Sequence, residues 1–346
     1  MAKNPAFAVK GTITVKDSGT VLLVRRRPGG PKQLTAHDCG NSKFLRSQSV
    51  GVFGSKGRII FESGWEVLLG QSEVVNWLRT TPKKLATMRY GGEWKLAGGN
   101  VGEGETIVDA AFRELQEEFI DPLGLSLPKS TVLRPFVTKQ TRPIRSRSNL
   151  MHCFVALESE NKWLRNLDID AINDGLRHRR REFERLSLNP DGTPTKKFYS
   201  LPESEREAVT PEVRQCKWVP LHDAVKFALS SMGEGVFVND YQKECFRKYG
   251  KKRRDPMFIT AAILMELEGF PDSNSLIAHC RSVDLEALTR EEQWLFKGMD
   301  QQQVDDALAE RLKNGKYGTN PSFKNPDVIS GLRKNRNERK KLRASL

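Results

Sequence analysis

The chain has 346 residues, with 57 Lys and Arg against 43 Asp and Glu, giving a formal net charge of +14. That length can bury a full core, as one large domain or two modest ones. The charge points to polyanionic partners such as nucleotides or RNA, while no stretch approaches the ~20 apolar residues of a membrane span.

In chain order, Phe7 to Val15 alternates as a strand, Asp17-Ser18-Gly19 reads as a turn, and Val21 to Val24 reads as a second, buried strand. Ser49 to Phe53 and Arg58 to Phe61 suggest a hairpin around Gly54–Gly57, and a helix is expected through Val74–Leu78. Glu93 to Leu96 is a short strand that ends at Gly98-Gly99. A helix then starts at Glu105 or Thr106, keeps Ile107, Ala111 and Leu115 on an apolar side, and ends at Pro122.

Thr131–Leu133 and His152–Leu157 read as strands flanking a basic loop with Arg142, Arg145 and Arg147. Asp168 to Leu186 is a charged helical stretch holding the run Arg177–Arg181. Val213 to Leu221 is a strand, Asp255 to Gly269 a strongly apolar helix, and Leu285 to Leu312 a pair of helices. Residues 332–346 are basic and lack the apolar residues needed to order themselves. Five spread cysteines, Cys39, Cys153, Cys216, Cys245 and Cys280, lack paired spacing and read as reduced thiols. The opening residues carry no apolar signal core. A cytoplasmic location is expected, and a nuclear one is compatible.

The chemistry concentrates between Gly98 and Glu118. Glu114, Glu117 and Glu118 stand at i, i+3 and i+4, on one helix face. No Lys or Arg follows any of them by four residues, so i,i+4 pairing is not expected and the acids should converge and face outward. Such a patch suits a hard divalent cation, Mg²⁺ or Mn²⁺. A divalent ion beside a glycine loop suits the cleavage of a diphosphate.

Gly99, Glu105, Arg113, Glu114, Leu115, Glu117 and Glu118 match in register the pattern Gly, five residues, Glu, seven residues, Arg-Glu-apolar-any-Glu-Glu. The segment resembles a Nudix box, with Ile120 at the closing glycine, Asp121 at the following apolar position and Ala97 at a usual proline. The resemblance implies an α/β Nudix fold, a mixed β-sheet sandwiched between helices. It implies a Nudix domain over 1–270 with insertions at about 28–88 and 160–208. A helical extension over 271–331 and the basic tail would follow.

By the same resemblance, Glu114, Glu117, Glu118 and the Gly98 carbonyl would hold Mg²⁺ or Mn²⁺, and Glu105 and Arg113 would orient the acids. The expected activity is hydrolysis of a nucleoside diphosphate linked to another group, such as a nucleotide, a dinucleotide polyphosphate or an RNA 5′ end. Glu114, Glu117 or Glu212 would take the proton from water. Arg142, Arg145 and Arg147 would grip phosphates. The runs 177–181, 251–254 and 333–343 would track RNA. The contrasting expectation is a catalytically weak RNA-binding subunit, which the basic additions, Ile120 and Asp121 favour.

Overall fold

The computed structural model describes residues 14–27, 52–53, 59–60, 64–81, 86–88, 91–141, 147–229 and 258–293. The expected strand Phe7–Val15 lies almost wholly outside them.

β1 (Thr14–Arg26) runs unbroken through Asp17-Ser18-Gly19, so the expected turn is not formed. Parallel pairing with β8 (Arg147–Leu157) accompanies it residue by residue from Thr14 to Val24 and satisfies its backbone. Gly19 is needed inside this strand for close approach: a Cβ there would lie 2.7 Å from the Ala111 backbone nitrogen.

β4 (Trp65–Ser72) falls inside the stretch expected as an insertion, yet it is buried throughout. It pairs with β1, with β5 (Trp94–Lys95) and with β9 (Val213–Pro220). Residues 28–88 are therefore not all inserted material. Within them β2 (Val52–Phe53) and β3 (Ile59–Ile60) form the expected small ladder. The expected helix at Val74–Leu78 shrinks to a 3₁₀ turn, Trp77–Arg79, capped by Asn76.

Among the described residues seven strands make one mixed sheet, ordered β5-β4-β1-β8-β7, with β6 (Ala97–Asn100) beside β1 and β9 beside β4. β7 spans Arg134–Gln140, three residues beyond the strand expected at Thr131. The period of two along β1 sends Val21 and Leu23 to one face and Leu22 and Val24 to the other.

The first face packs against α1 (Ile107–Leu115) and α2 (Ile169–Ser187), through Ala111, Leu115, Ile172 and Leu176. The short helices α3 (Lys196–Ser200) and α4 (Glu203–Val209) follow α2. The second face packs against α5 (Leu221–Leu229) and α6 (Phe258–Glu268). As expected, α6 is an apolar cover, with Ala261, Ile263, Leu264 and Leu267 fully buried.

The helical extension shares this core. Leu276 and Cys280 of α7 (Ser273–Ser282) join the second cluster, and Trp65 Nε1 donates to the Phe270 carbonyl at 2.8 Å. α8 (Leu285–Gln293) begins the expected helix pair, whose remainder lies outside the described residues. No described helix is long and apolar enough to cross a membrane.

Candidate functional site

Backbone geometry at Gly98-Gly99 brings the acid helix onto the sheet. β6 pairs with β1 at Gly19↔Gly99 and Thr20↔Gly98. Gly98 has φ 155°, and a Cβ there would lie 2.6 Å from the Gly19 carbonyl oxygen. At Gly99 a Cβ would lie 2.1 Å from Glu114 Oε1. The loop must be bare because a carboxylate rests against it.

Thr106 caps α1, accepting from the Asp109 N–H at 3.1 Å. The helix then changes pitch. Gln116–Ile120 form a π turn, closed by the Asp121 N–H donating to the Gln116 carbonyl. A 3₁₀ turn over Asp121–Leu123 follows, and the left-handed exit falls on Gly124, with φ 65°. Ile120, at φ −103°, is thus spared the conformation a β-branched side chain resists. The exit moves four residues downstream of the box's usual closing glycine. The wider turn also lets consecutive Phe119 and Ile120 both bury against the sheet.

Arg113 organises the exposed end of the site. Its Nε donates to Glu105 Oε1 at 2.9 Å, and its Nη1 donates to Glu114 Oε1 at 2.8 Å and Glu117 Oε2 at 3.1 Å. Nη2 donates to the Asn100 carbonyl at 3.0 Å and to Glu105 Oε2 at 3.2 Å. The hydrogen bonds from Arg113 and from the Gly102 N–H hold Glu105 below the usual carboxylate range. Arg113 thus binds Glu105, Glu114 and Glu117 together.

The expectation of no i,i+4 pairing is corrected. Arg113 precedes Glu117 by four residues and binds it, an order that a search for bases following acids overlooks.

The acids do not all face outward either. Glu114 and Glu118 are buried, at 9% and 5% exposure, and only Glu117 is open to solvent. Burial raises the pKa of Glu114, and it pushes Glu118 up to about 7, against the pull of Lys95. Lys95 Nζ forms an ion pair with Glu118 Oε1. Burial acts to lower the Lys95 pKa, but the field of Glu118, Glu212 and Glu114 outweighs it and holds the ammonium above its ordinary range. Glu118 Oε2 is buried with no hydrogen-bond partner.

Hence the acids do not converge as they stand. Among the described residues no three His, Cys, Asp or Glu side chains are set to hold a metal ion. They are divided between two protein cations. Glu114 and Glu117 share one Arg113 nitrogen. The orphaned Glu118 oxygen is a further hard donor. By donor chemistry the set fits a divalent cation.

Glu212, a loop acid expected as one candidate to take the proton from water, is exposed and close enough to act on Lys95, Glu114 and Glu118. Its backbone carbonyl accepts from the Glu73 N–H at 2.8 Å. Arg142 and Arg145 lie outside the described residues, and of Arg147 only the backbone, in β8, is described.

The run Arg177–Arg181 is divided: Arg179 and Arg180 are bound to other parts of the chain, while Arg177, His178 and Arg181 are exposed. Arg179 donates to the Glu117 carbonyl at 3.4 Å and the Ala208 carbonyl at 2.7 Å. Arg180 pairs with the buried Glu73 carboxylate, and Arg177 with Asp174. The run so braces both the π turn and the segment leading to Glu212. Runs 251–254 and 333–343 lie outside the described residues.

Lys95 and Glu73 escaped the sequence reading, and Arg179 and Arg180 entered it only as part of a basic run, without their partners. A signal existed for Lys95: Trp94 and Leu96 point to one face, so Lys95 points with Ala97 to the face that receives α1.

Residues 59–172 match the family described as NUDIX domain. An Ap4A hydrolase of C. elegans, as a binary complex, is 14% identical, covering 68% of this chain and 96% of that one, with a TM-score of 0.28. A NUDIX hydrolase of Alicyclobacillus acidocaldarius is 11% identical over 78% of this chain and 97% of that one, with a TM-score of 0.34. A NUDIX domain of Shewanella oneidensis complexed with ADP ribose is 14% identical over 68% and 88%, with a TM-score of 0.25. No curated protein matches the chain. At these identities and TM-scores no neighbour's substrate transfers to this chain.

Proposed function

We propose, on the premise that this chain is a member of the Nudix superfamily through its NUDIX domain at residues 59–172, that it is a divalent-metal-dependent pyrophosphohydrolase of a nucleoside diphosphate linked to another group. The observation that carries this reading is the Arg113 network. One guanidinium fixes Glu105, Glu114 and Glu117 and ties them to the glycine loop through the Asn100 carbonyl.

Glu114 and Glu117 would hold Mg²⁺ or Mn²⁺, with the Gly98 carbonyl as a further oxygen donor. Bound there, the ion supplies neutralisation of the diphosphate and acidification of water. The chain's own residues do the remaining work. The bare backbone at Gly98-Gly99 lets the acid rest against the loop, and Arg113 fixes the direction of each carboxylate. The exposed Glu212 would take a proton from the attacking water.

Of the run invoked for the RNA-binding alternative, Arg179 and Arg180 are engaged within the fold, whereas Arg177, His178 and Arg181 are exposed. The test is hydrolysis of a panel of ADP-ribose, dinucleoside polyphosphates, and capped and triphosphorylated RNA, with Mg²⁺, with Mn²⁺ and with EDTA. The expected result is cleavage of at least one substrate at a phosphoric anhydride, abolished by EDTA. Cleavage of none under any condition would sink the proposal.

A further inference from the structure

We infer that Lys95 is a resident cation of the acid site, which holds Glu118 and confines divalent ions to the Glu114–Glu117 end. This rests on the metal-dependent reading above and narrows it. It also removes Glu118, expected as a ligand, from the ions' coordination in the resting protein.

The argument begins with the strand. Lys95 alternates onto the face of the sheet that receives α1, between Trp94 and Leu96 on the opposite face. Its antiparallel partner is Gly70, where an added Cβ would lie 3.0 Å from the Phe119 ring and 3.2 Å from Val213. Lys95 therefore stands beside the π turn with its side chain 22% exposed, and its ammonium pairs there with the buried Glu118.

Glu118 supplies one oxygen to it, and the second oxygen is buried and unpartnered. Glu114 and Glu212 add their field from either side. A compact ammonium and a divalent ion cannot both approach one buried carboxylate, because at low dielectric their repulsion is large.

Arg113 differs in kind. Its charge is spread over a fork that is 37% exposed, and its partner Glu117 is 48% exposed. Glu117 can turn toward an incoming ion and stay solvated. Glu118, 5% exposed, has no such alternative, and parting it from Lys95 would leave a buried charge uncompensated. The two halves of the acid face are thus unequal: one exchanges its cation, and the other carries its cation within the chain.

The test is Mn²⁺ binding to the full chain without nucleotide, followed by calorimetry and by the EPR signal of unbound Mn²⁺. Four variants are compared with wild type: Glu118→Gln, Lys95→Met, Lys95→Arg and the double Lys95→Met/Glu118→Gln. Wild type, Glu118→Gln and Lys95→Arg should bind alike.

An adjacent charge changes a carboxylate's proton affinity by about tenfold or more, and Lys95→Met should tighten Mn²⁺ by at least about that factor or add an ion per chain. The double variant should lose that gain, which assigns it to Glu118. A fall of about tenfold or more on Glu118→Gln alone would show Glu118 to be a ligand already and overturn the inference. So would Lys95→Met binding as wild type does. Should Lys95→Met fail to fold, Glu118→Gln and Lys95→Arg still decide the matter. Absence of Mn²⁺ binding in every protein would overturn the metal-dependent reading, and this inference with it.

Discussion

The two ends of the acid helix neutralise their carboxylates by opposite means. Around Arg113 exposure runs from 12% for the Glu114 side chain to 48% for Glu117, each guanidinium nitrogen has a named partner, and three acids are held by one residue. Around Lys95 a single pair lies beneath the π turn, and one carboxylate oxygen is left without a partner. Exposed ion pairs contribute little to stability, whereas breaking a buried pair is costly. The difference teaches that a row of glutamates identical in sequence can divide into an exchangeable set and a fixed one. The divide falls where the helix widens, between exposed Glu117 and buried Glu118.

That contrast can be broken in graded ways. The largest effect is expected from Gly99→Ala. Its Cβ would lie 2.1 Å from Glu114 Oε1, the mobile tip of a side chain, so the carboxylate should swing away while the fold persists. A misplacement of that kind costs about 10²-fold in turnover. Hydrolysis rates beside an unchanged circular-dichroism spectrum would check it.

Arg113→Met comes next. It releases Glu105, Glu114 and Glu117 together, and loss of an orienting partner costs about 10- to 100-fold in activity or metal affinity. Stability should fall only modestly: the Glu117 pair is exposed, while Glu114 is buried and loses its cation. A large fall in melting temperature would instead make Arg113 a structural residue.

Gly19→Ala should do the reverse. Its Cβ would meet the backbone of α1 at 2.7 Å, which cannot turn aside. Overpacking of this kind costs about 1–3 kcal/mol, measurable by urea unfolding.

The smallest effect concerns pH. The Glu118 carboxyl is raised from 4.5 to about 7 in the folded chain. The native state then binds the more protons between those values, so stability is greatest below about pH 4.5 and falls as pH rises to about 7. For this one group the fall should be on the order of 1 kcal/mol or more. Urea midpoints in metal-free buffer should show it in wild type and not in Glu118→Gln. Equal pH slopes would contradict the buried end of the comparison.

Much of the exposed end was legible in the sequence, because fixed spacing carries it. Gly99, Glu105, Arg113, Glu114 and Glu117 lie within one loop and one helix, and local geometry brings them together. The buried end was not, because it depends on pairing between strands far apart in the chain. Lys95 reaches Glu118 only once β5 is hydrogen-bonded to β4, and β4 lay hidden in a stretch read as inserted.

The same reasoning covers the false turn. Asp17-Ser18-Gly19 has turn composition, but the parallel partner β8 supplies its hydrogen bonds and α1 needs its glycine. The basic run on α2 was only partly legible, for a third reason. Sequence shows charge but not the carbonyls and buried Glu73 that its arginines reach. The apolar helix α6 was plain, since no polar face interrupts Ala261 to Leu267 except Glu266.

The most direct test of the central claim is Mg²⁺-dependent hydrolysis by wild type and by Glu117→Gln, an amide of equal size without the charge. Each is titrated with Mg²⁺ on the best substrate of the panel. Wild-type turnover should rise and saturate with Mg²⁺ and vanish with EDTA. Glu117→Gln should fold normally and lose about 100-fold or more of turnover at every Mg²⁺ concentration. Turnover at the wild-type rate in Glu117→Gln, or cleavage by wild type that persists in EDTA, would contradict the account.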